Sequence, residues 1–303
     1  MDNSLSSFVK DNITKQNTST LETETEIEVH NFVSDAIGND DMLNEIDANS
    51  KPIVVVLIGF PGYGKTSFVS TCYQLLLEKG GINEYIFYDS DTFIGFERRI
   101  ATRRLSEKNN VSQTKRTLLG ESHLLTIRIN HPQKGNKVIV FSDRSGEHYE
   151  EYINKTEAMD SDKLLKNADR LLFFINCEDL VGHSFISLKD KYSILLHNLK
   201  SNNIPFENIT IDLLYNKSDI VTPDNISRFN RNKTDLVRLF DSFFKALSYK
   251  EHNIISNNID NADGLKSLLV DIIDNSYENL KSNSDISKFD WVKNLILKQQ
   301  NYE

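Results

Sequence analysis

A three-layer α/β fold with a mainly parallel central sheet follows from three features of the sequence. Residues 53–58 (IVVVLI) are a short, continuous apolar run rich in β-branched side chains, which marks a strand buried on both faces. A glycine turn follows at once, and then an amphipathic stretch at 67–79, giving a strand–turn–helix unit. Beyond it, apolar runs alternate with helical patterns, and such alternation specifies parallel strands joined by helical crossovers.

The first fifty residues stand apart from this pattern. They hold eleven acids and two bases, which accounts for the net charge of −9 of the 303-residue chain. They read as an acidic, partly disordered extension over 1–50, with at most a short amphipathic helix at 24–37. The body, 51–303, is neutral by count. Strands are expected there at 53–58, 85–88, 124–129, 138–141, 171–176, 209–215 and 252–256. Helices are expected at 67–79, where Gly80 and Gly81 end the first, and at 92–105, 189–200, 235–247, 265–273 and 286–298. Neither a repeat nor a low-complexity linker interrupts the body, so it reads as one domain.

Composition excludes several classes of function. The acidic balance speaks against nucleic acid as a partner. Crossing a bilayer takes an apolar run of roughly 18 residues, and the sequence has none. The polar start MDNSLSSFVK is unlike a signal peptide. Two lone cysteines, Cys72 and Cys177, fit a reducing compartment, so a cytoplasmic location is expected. The histidines are scattered without metal-ligand spacing.

The turn after the first strand carries chemistry. Residues 59–66 read GFPGYGKT, the G-x-x-x-x-G-K-[ST] pattern in the strand-to-helix setting that it requires. Gly59, Gly62 and Gly64, with Pro61 and Tyr63 between them, let the backbone wrap so that successive N–H groups face a phosphate chain. The helix opening at Lys65, Thr66 and Ser67 adds its positive end. Lys65 is expected on the β- and γ-phosphates, and the Thr66 hydroxyl on Mg²⁺. This is the Walker A loop of the three-layer P-loop NTPase fold.

Two further motifs sit at expected strand ends, where open α/β sheets bind ligands. Asp143-Arg144-Ser145-Gly146 is a D-x-x-G in which Asp143 holds Mg²⁺ through water and the Gly146 N–H meets the γ-phosphate. Asn216-Lys217-Ser218-Asp219 is an N-x-x-D of the guanine-reading kind. The Asp219 carboxylate accepts from guanine N1–H and its 2-amino group, donors that adenine lacks on that edge, so a buried Asp219 discriminates. The Lys217 stem lies along the base, and Asn216 ties the motif either to the phosphate loop or to guanine N7. Ser256 falls where a loop closes over guanine O6. A threonine that closes over Mg²⁺ is expected before Asp143; Thr117 is the choice and Thr114 the fallback.

The ordered set GFPGYGKT, switch threonine, DRSGE and NKSD resembles the translation-factor-related (TRAFAC) class of P-loop GTPases over about 52–275. More narrowly, YDSDTFIGFERR at 88–99, Arg116-Thr117 and Asp143 to Glu147 resemble the bacterial double-GTPase group of conflict, or antiviral defence, operons. The resemblance implies a GTPase that uses GTP/GDP and Mg²⁺ and controls a partner or effector protein. One departure bears on hydrolysis. Where many Ras-like GTPases have Gln just after D-x-x-G, this chain has Glu147 and then His148. A carboxylate there repels the γ-phosphate, so His148 is the candidate for orienting water, Glu147 is expected to point away and pair with an arginine, and slow intrinsic turnover is expected.

The insertion at about 82–116 holds a helix with Arg98, Arg99, Arg103 and Arg104. Three readings apply: a solvated basic face, a partner surface, or an arginine supplied to the site in cis or across a nucleotide-dependent dimer. Arg116 competes for that last role. The sequence thus points to a Mg²⁺-dependent GTP-hydrolysing switch. Its rivals are a GTP-dependent scaffold with negligible turnover and an ATP-driven motor or kinase, against which Asp219 speaks.

Overall fold

The computed structural model of the chain describes residues 52–78, 81–107, 122–159, 162–244 and 249–275. The acidic extension and the helices expected at 24–37 and 286–298 lie outside these residues.

Seven strands form one sheet in the order β2-β3-β4-β1-β5-β6-β7. They are β1 (Ile53–Ile58), β2 (Ile86–Asp89), β3 (Ser122–His131), β4 (Gly135–Arg144), β5 (Arg170–Asn176), β6 (Thr210–Asn216) and β7 (Tyr249–Ile254). From β4 to β7 every pairing is parallel, whereas β2 and β3 are added antiparallel at one edge. β1 and β5 are buried along their whole length in the middle of a doubly covered sheet, β1 apolar throughout and β5 apolar between Arg170 and Asn176. The antiparallel edge is a hairpin. His131 and Gly135 pair at its tip, where Gly135 turns with φ +74° and the His131 Nδ1 accepts from the Gln133 and Lys134 amides.

The helices are α1 (Lys65–Glu78), α2 (Phe93–Glu107), α3 (Gly146–Asn154), α4 (Lys163–Lys166), α5 (Cys177–Val181), α6 (Phe185–Ser201), α7 (Ile226–Phe244) and α8 (Asp263–Asn275). α1 packs with α2 and α8, while α6 packs with α3, α5 and α7. All seven expected strands and the five expected helices among the described residues are present. α7 begins nine residues earlier than the pattern suggests. Its first turns, ISRFNRNKT, are polar in bulk, yet Phe229, Asn232, Leu236, Phe240 and Phe244 fall on one buried stripe. α3 escaped notice because it buries only Gly146, Tyr149 and Tyr152, and α4 and α5 are too short for a period to show.

A charged cluster holds α8 to the sheet. Arg170 on β5 is fully buried, and its Nη2 donates to Asp212 Oδ1 on β6 at 2.9 Å and also to Asp271 on α8. His252 on β7 places Nε2 2.9 Å from Asp212 Oδ1. Buried guanidinium charge persists only when paired in this way. Cys72 and Cys177 are buried free thiols.

Candidate functional site at the carboxyl edge of the sheet

The chain leaves β1 towards β4 on one side, and leaves β5 towards β6 on the other. That divergence is the topological switch point at which open α/β sheets take ligands. The sequence-predicted residues among those described gather along this edge. Residues 59–64 connect β1 to α1 as a turn closed by the Tyr63 amide on the Phe60 carbonyl at 3.3 Å. Gly64 requires glycine twice over: its φ is +84°, and a Cβ there would collide with the Asn216 amide. Pro61 is half-buried and Gly62 exposed in the turn, and Ser67 is half-buried in the first turn of α1.

Lys65 is buried, and its Nζ donates to the carbonyls of Gly59 at 2.6 Å and Phe60 at 3.3 Å. Burial lowers its pKa to about 8, against the opposing pull of Asp143. The ammonium is therefore held inside its own loop by two carbonyl oxygens and is poorly compensated there.

From β4, Asp143 is fully buried and accepts from the Thr66 hydroxyl at 2.9 Å on Oδ1. A hydroxyl and a carboxylate meeting at the start of α1 form a hard-oxygen pair of the kind that suits Mg²⁺, which relies on one or two carboxylates plus substrate phosphates. Among the described residues no group of three or more His, Cys, Asp or Glu could hold a metal by itself. The other carboxylate oxygen, Oδ2, is taken by Arg99 Nε from α2 at 2.9 Å. A wholly solvated basic face for α2 is thus ruled out at Arg99, although Arg98 is exposed. The side chains of Arg103 and Arg104, and all of Thr114, Arg116 and Thr117, lie outside the described residues.

Gly146 opens α3 hard against the phosphate loop, where a Cβ would collide with the Phe60 carbonyl carbon and the Pro61 backbone. Glu147 stands in the first turn of α3, where a carboxylate is favoured by the helix dipole. His148 places Nε2 2.8 Å from the Tyr152 hydroxyl. Burial first, and then the Arg144 charge, lower its pKa and keep it neutral at physiological pH. Because the Tyr152 hydroxyl donates to Asp162 Oδ2 at 2.5 Å, it accepts from His148, so Nε2 carries the proton and Nδ1 is the open acceptor.

At the other end, Asn216 closes β6 and joins three segments. Its Nδ2 donates to the Tyr63 carbonyl at 2.8 Å, and its Oδ1 accepts from the Ser256 hydroxyl at 2.8 Å and amide at 3.2 Å. Asn216 thus makes the attachment to the phosphate loop. Ser256 is in turn fixed by the Thr71 hydroxyl on its carbonyl at 2.6 Å. Lys217 adopts a left-handed backbone with φ +60°, and its Nζ donates to Glu178 Oε2 at 2.7 Å. Asp219 is exposed, on a one-turn 3₁₀ segment, Ser218–Ile220, beyond the end of the sheet.

Sequence reasoning missed the supports of this site. Asp179 accepts from the Tyr63 hydroxyl at 2.7 Å and Glu178 holds Lys217. Both belong to α5, and no motif marked them; a carboxylate pair immediately after an expected strand end was the one available signal.

The family model Double-GTPase 2 matches residues 53–273. No curated protein matches the chain. Among solved structures it is similar to the translation elongation factor SelB from Methanococcus maripaludis in complex with the GTP analogue GppNHp. The identity is 15% over 74% of this chain and 34% of that one, with a TM-score of 0.39. It is also similar to the Arl6 BBS3 small GTPase from Trypanosoma brucei with bound nucleotide analogue, at 11% identity over 76% and 99% of the two chains and a TM-score of 0.43. A third is the bacterial selenocysteine-specific elongation factor EF-Sec, at 12% identity, 78% and 30% coverage and a TM-score of 0.39. The chain spans 34% and 30% of the two elongation-factor chains that it matches. The family match runs from β1 into α8 and so takes in both the phosphate loop and the N-K-x-D motif: the chain belongs to the Double-GTPase 2 family.

Proposed function

We propose that the chain binds Mg²⁺·GTP between the 59–66 loop and Asp219, hydrolyses it to GDP, and acts as a switch read by a partner protein. The observation that carries this reading is Asn216, whose one side chain binds the phosphate loop through Tyr63 and the Ser256 loop through its other end. A single nucleotide lying along the carboxyl edge would have its phosphates at one side of that link and its base at the other. In this reading Lys65 and the 59–64 amides bind the phosphates, and Gly146 N–H meets the γ-phosphate. Thr66 and Asp143, with Thr117, would hold Mg²⁺, which when bound neutralises phosphate charge. Lys217 and Asp219 take the base, and Ser256 its O6 side. Membership of the family, together with the association of the resembled group with conflict operons, supports a partner-controlling role in bacterial antiviral defence.

The test is competition with a fluorescent GTP analogue. Wild type should prefer GTP to ATP strongly, and Asp219→Asn should lose roughly a hundredfold or more of that preference, since two charge-assisted hydrogen bonds of ~1.5–3 kcal/mol each are at stake. Xanthosine triphosphate carries a carbonyl in place of the 2-amino group and should gain affinity in the same variant, which also reports that the variant is folded. Equal binding of GTP and ATP by the wild type would refute the assignment.

A GTP-dependent scaffold is favoured by one specific observation: the Nε2 of His148 is committed to Tyr152, so only Nδ1 is left to orient a water. Phosphate release in a single turnover separates the two readings. His148→Ala should slow that release by about tenfold to a hundredfold if His148 orients the water, and leave it unchanged in a scaffold.

A further inference from the structure

Both oxygens of Asp143 are engaged, one by the Thr66 hydroxyl and the other by Arg99. Arg99 is held in this position from behind. Its side chain is only 11% exposed, and its Nη1 donates to the Gly95 carbonyl one turn back at 2.9 Å. The same stretch of α2 is docked on α1, where Phe96 stacks on Tyr73 at 4.5 Å and Glu97 accepts from the Tyr73 hydroxyl at 3.1 Å. α2 therefore delivers a fixed positive charge to a buried carboxylate. On the function proposed above, that carboxylate also serves the metal end of the nucleotide site.

A buried carboxylate gains by pairing with one cation, and a second cation brought to the same group must overcome repulsion from the first. We propose that Arg99 is a built-in counter-cation for Asp143 that magnesium displaces, so that loading of metal and nucleotide breaks the Arg99–Asp143 pair and frees α2. The inference rests on the Mg²⁺·GTP reading and adds to it a moving part. α2 exposes Phe93 and Ile94 at its start. Release of the helix moves these side chains, so the state of the metal site is passed on to the position of α2.

The experiment uses the full chain and a non-hydrolysable fluorescent GTP analogue, titrated at increasing free Mg²⁺. Arg99→Ala removes the competitor, and the Mg²⁺ concentration for half-maximal binding should fall about tenfold. Arg99→Lys keeps the charge and should stay close to wild type. In parallel, backbone amides at 93–101 of the wild type should exchange slowly with analogue alone and faster once Mg²⁺ is added. An unchanged or higher Mg²⁺ requirement in Arg99→Ala overturns the proposal, and so do amides equally protected in both states. The exchange measurement needs no variant, so it decides the matter even if Arg99→Ala does not fold. A wild type that binds no guanine nucleotide at any Mg²⁺ concentration removes the underlying reading, whereas binding with the same Mg²⁺ requirement in both proteins removes only the role of Arg99.

Discussion

Lys65→Ala is expected to weaken GTP binding by about two to four orders of magnitude. The ammonium is buried and oriented by the Gly59 and Phe60 carbonyls, so on the proposed reading it meets the phosphates without having to be ordered on binding. Two charge-assisted contacts, to β- and γ-phosphate oxygens, contribute ~1.5–3 kcal/mol each, and 1.4 kcal/mol is a factor of ten. The same lysine gives the affinity a pH dependence whose sign is fixed. Burial lowers its pKa to about 8, and phosphate oxygens beside the ammonium would stabilise it and raise that value again. Below about 8 the charge is already present, so affinity is full there. As pH rises through that value, binding must take up a proton, and affinity falls by up to about tenfold per unit. Isothermal titration in buffers of different ionisation enthalpy measures both the affinity and the proton. Retention of wild-type affinity by Lys65→Ala would refute the role of Lys65, and proton release in place of uptake would reverse the sign argued here.

What could be read from the sequence, and what could not, divides along the range of the interactions involved. β1 and β5 were legible because six and five consecutive buried apolar residues, at 53–58 and 171–175, leave unbroken runs. The Gly64 turn was legible because only glycine tolerates both its φ and the Asn216 amide beside it. The three motifs fall in chain order at strand ends, and a parallel sheet brings its carboxyl ends to one edge. The Arg99–Asp143 pair, by contrast, joins residues forty-four apart, and one arginine of a basic helix face looks like another until the helix is docked. Asp219 is exposed, and the pattern N-K-x-D is silent on how far the 3₁₀ turn that carries it projects beyond β6. Arg144 was read only as a variable position of D-x-x-G, although the structure buries it completely enough to need a partner.

That partner is Asp162, and its removal should produce the largest loss of stability among single substitutions near the site. Arg144 Nη2 donates to Asp162 Oδ1 at 3.0 Å, with Nη1 on the other oxygen, and both side chains are under 5% exposed. Asp162 also accepts from the Tyr152 hydroxyl and caps α4 through the Leu165 amide at 3.1 Å. Burial works against both charges, yet each partner outweighs it, so the Arg144 pKa is raised and that of Asp162 lowered. Asp162→Ala strands a guanidinium in the interior, which costs ~3–5 kcal/mol, and the lost cap adds about 1 kcal/mol. Against a total stability of ~5–15 kcal/mol, this is a large fraction. Urea unfolding measures it directly, and a loss under ~1 kcal/mol would show that water reaches Arg144 once the carboxylate is gone. The sign with pH follows from the lowered Asp162 value: the pair contributes fully above the ordinary aspartate range and is lost as pH falls through the depressed folded value. Replacing both residues, as Arg144→Met with Asp162→Leu, should recover most of the stability, because apolar side chains of similar volume need no counter-charge. It should not recover the orientation of His148, whose Nε2 depends on a Tyr152 hydroxyl held by Asp162. The double variant therefore separates the fold from the switch: near-native unfolding with altered phosphate release is the outcome expected if this buried pair serves the segment that follows Gly146 as well as the core.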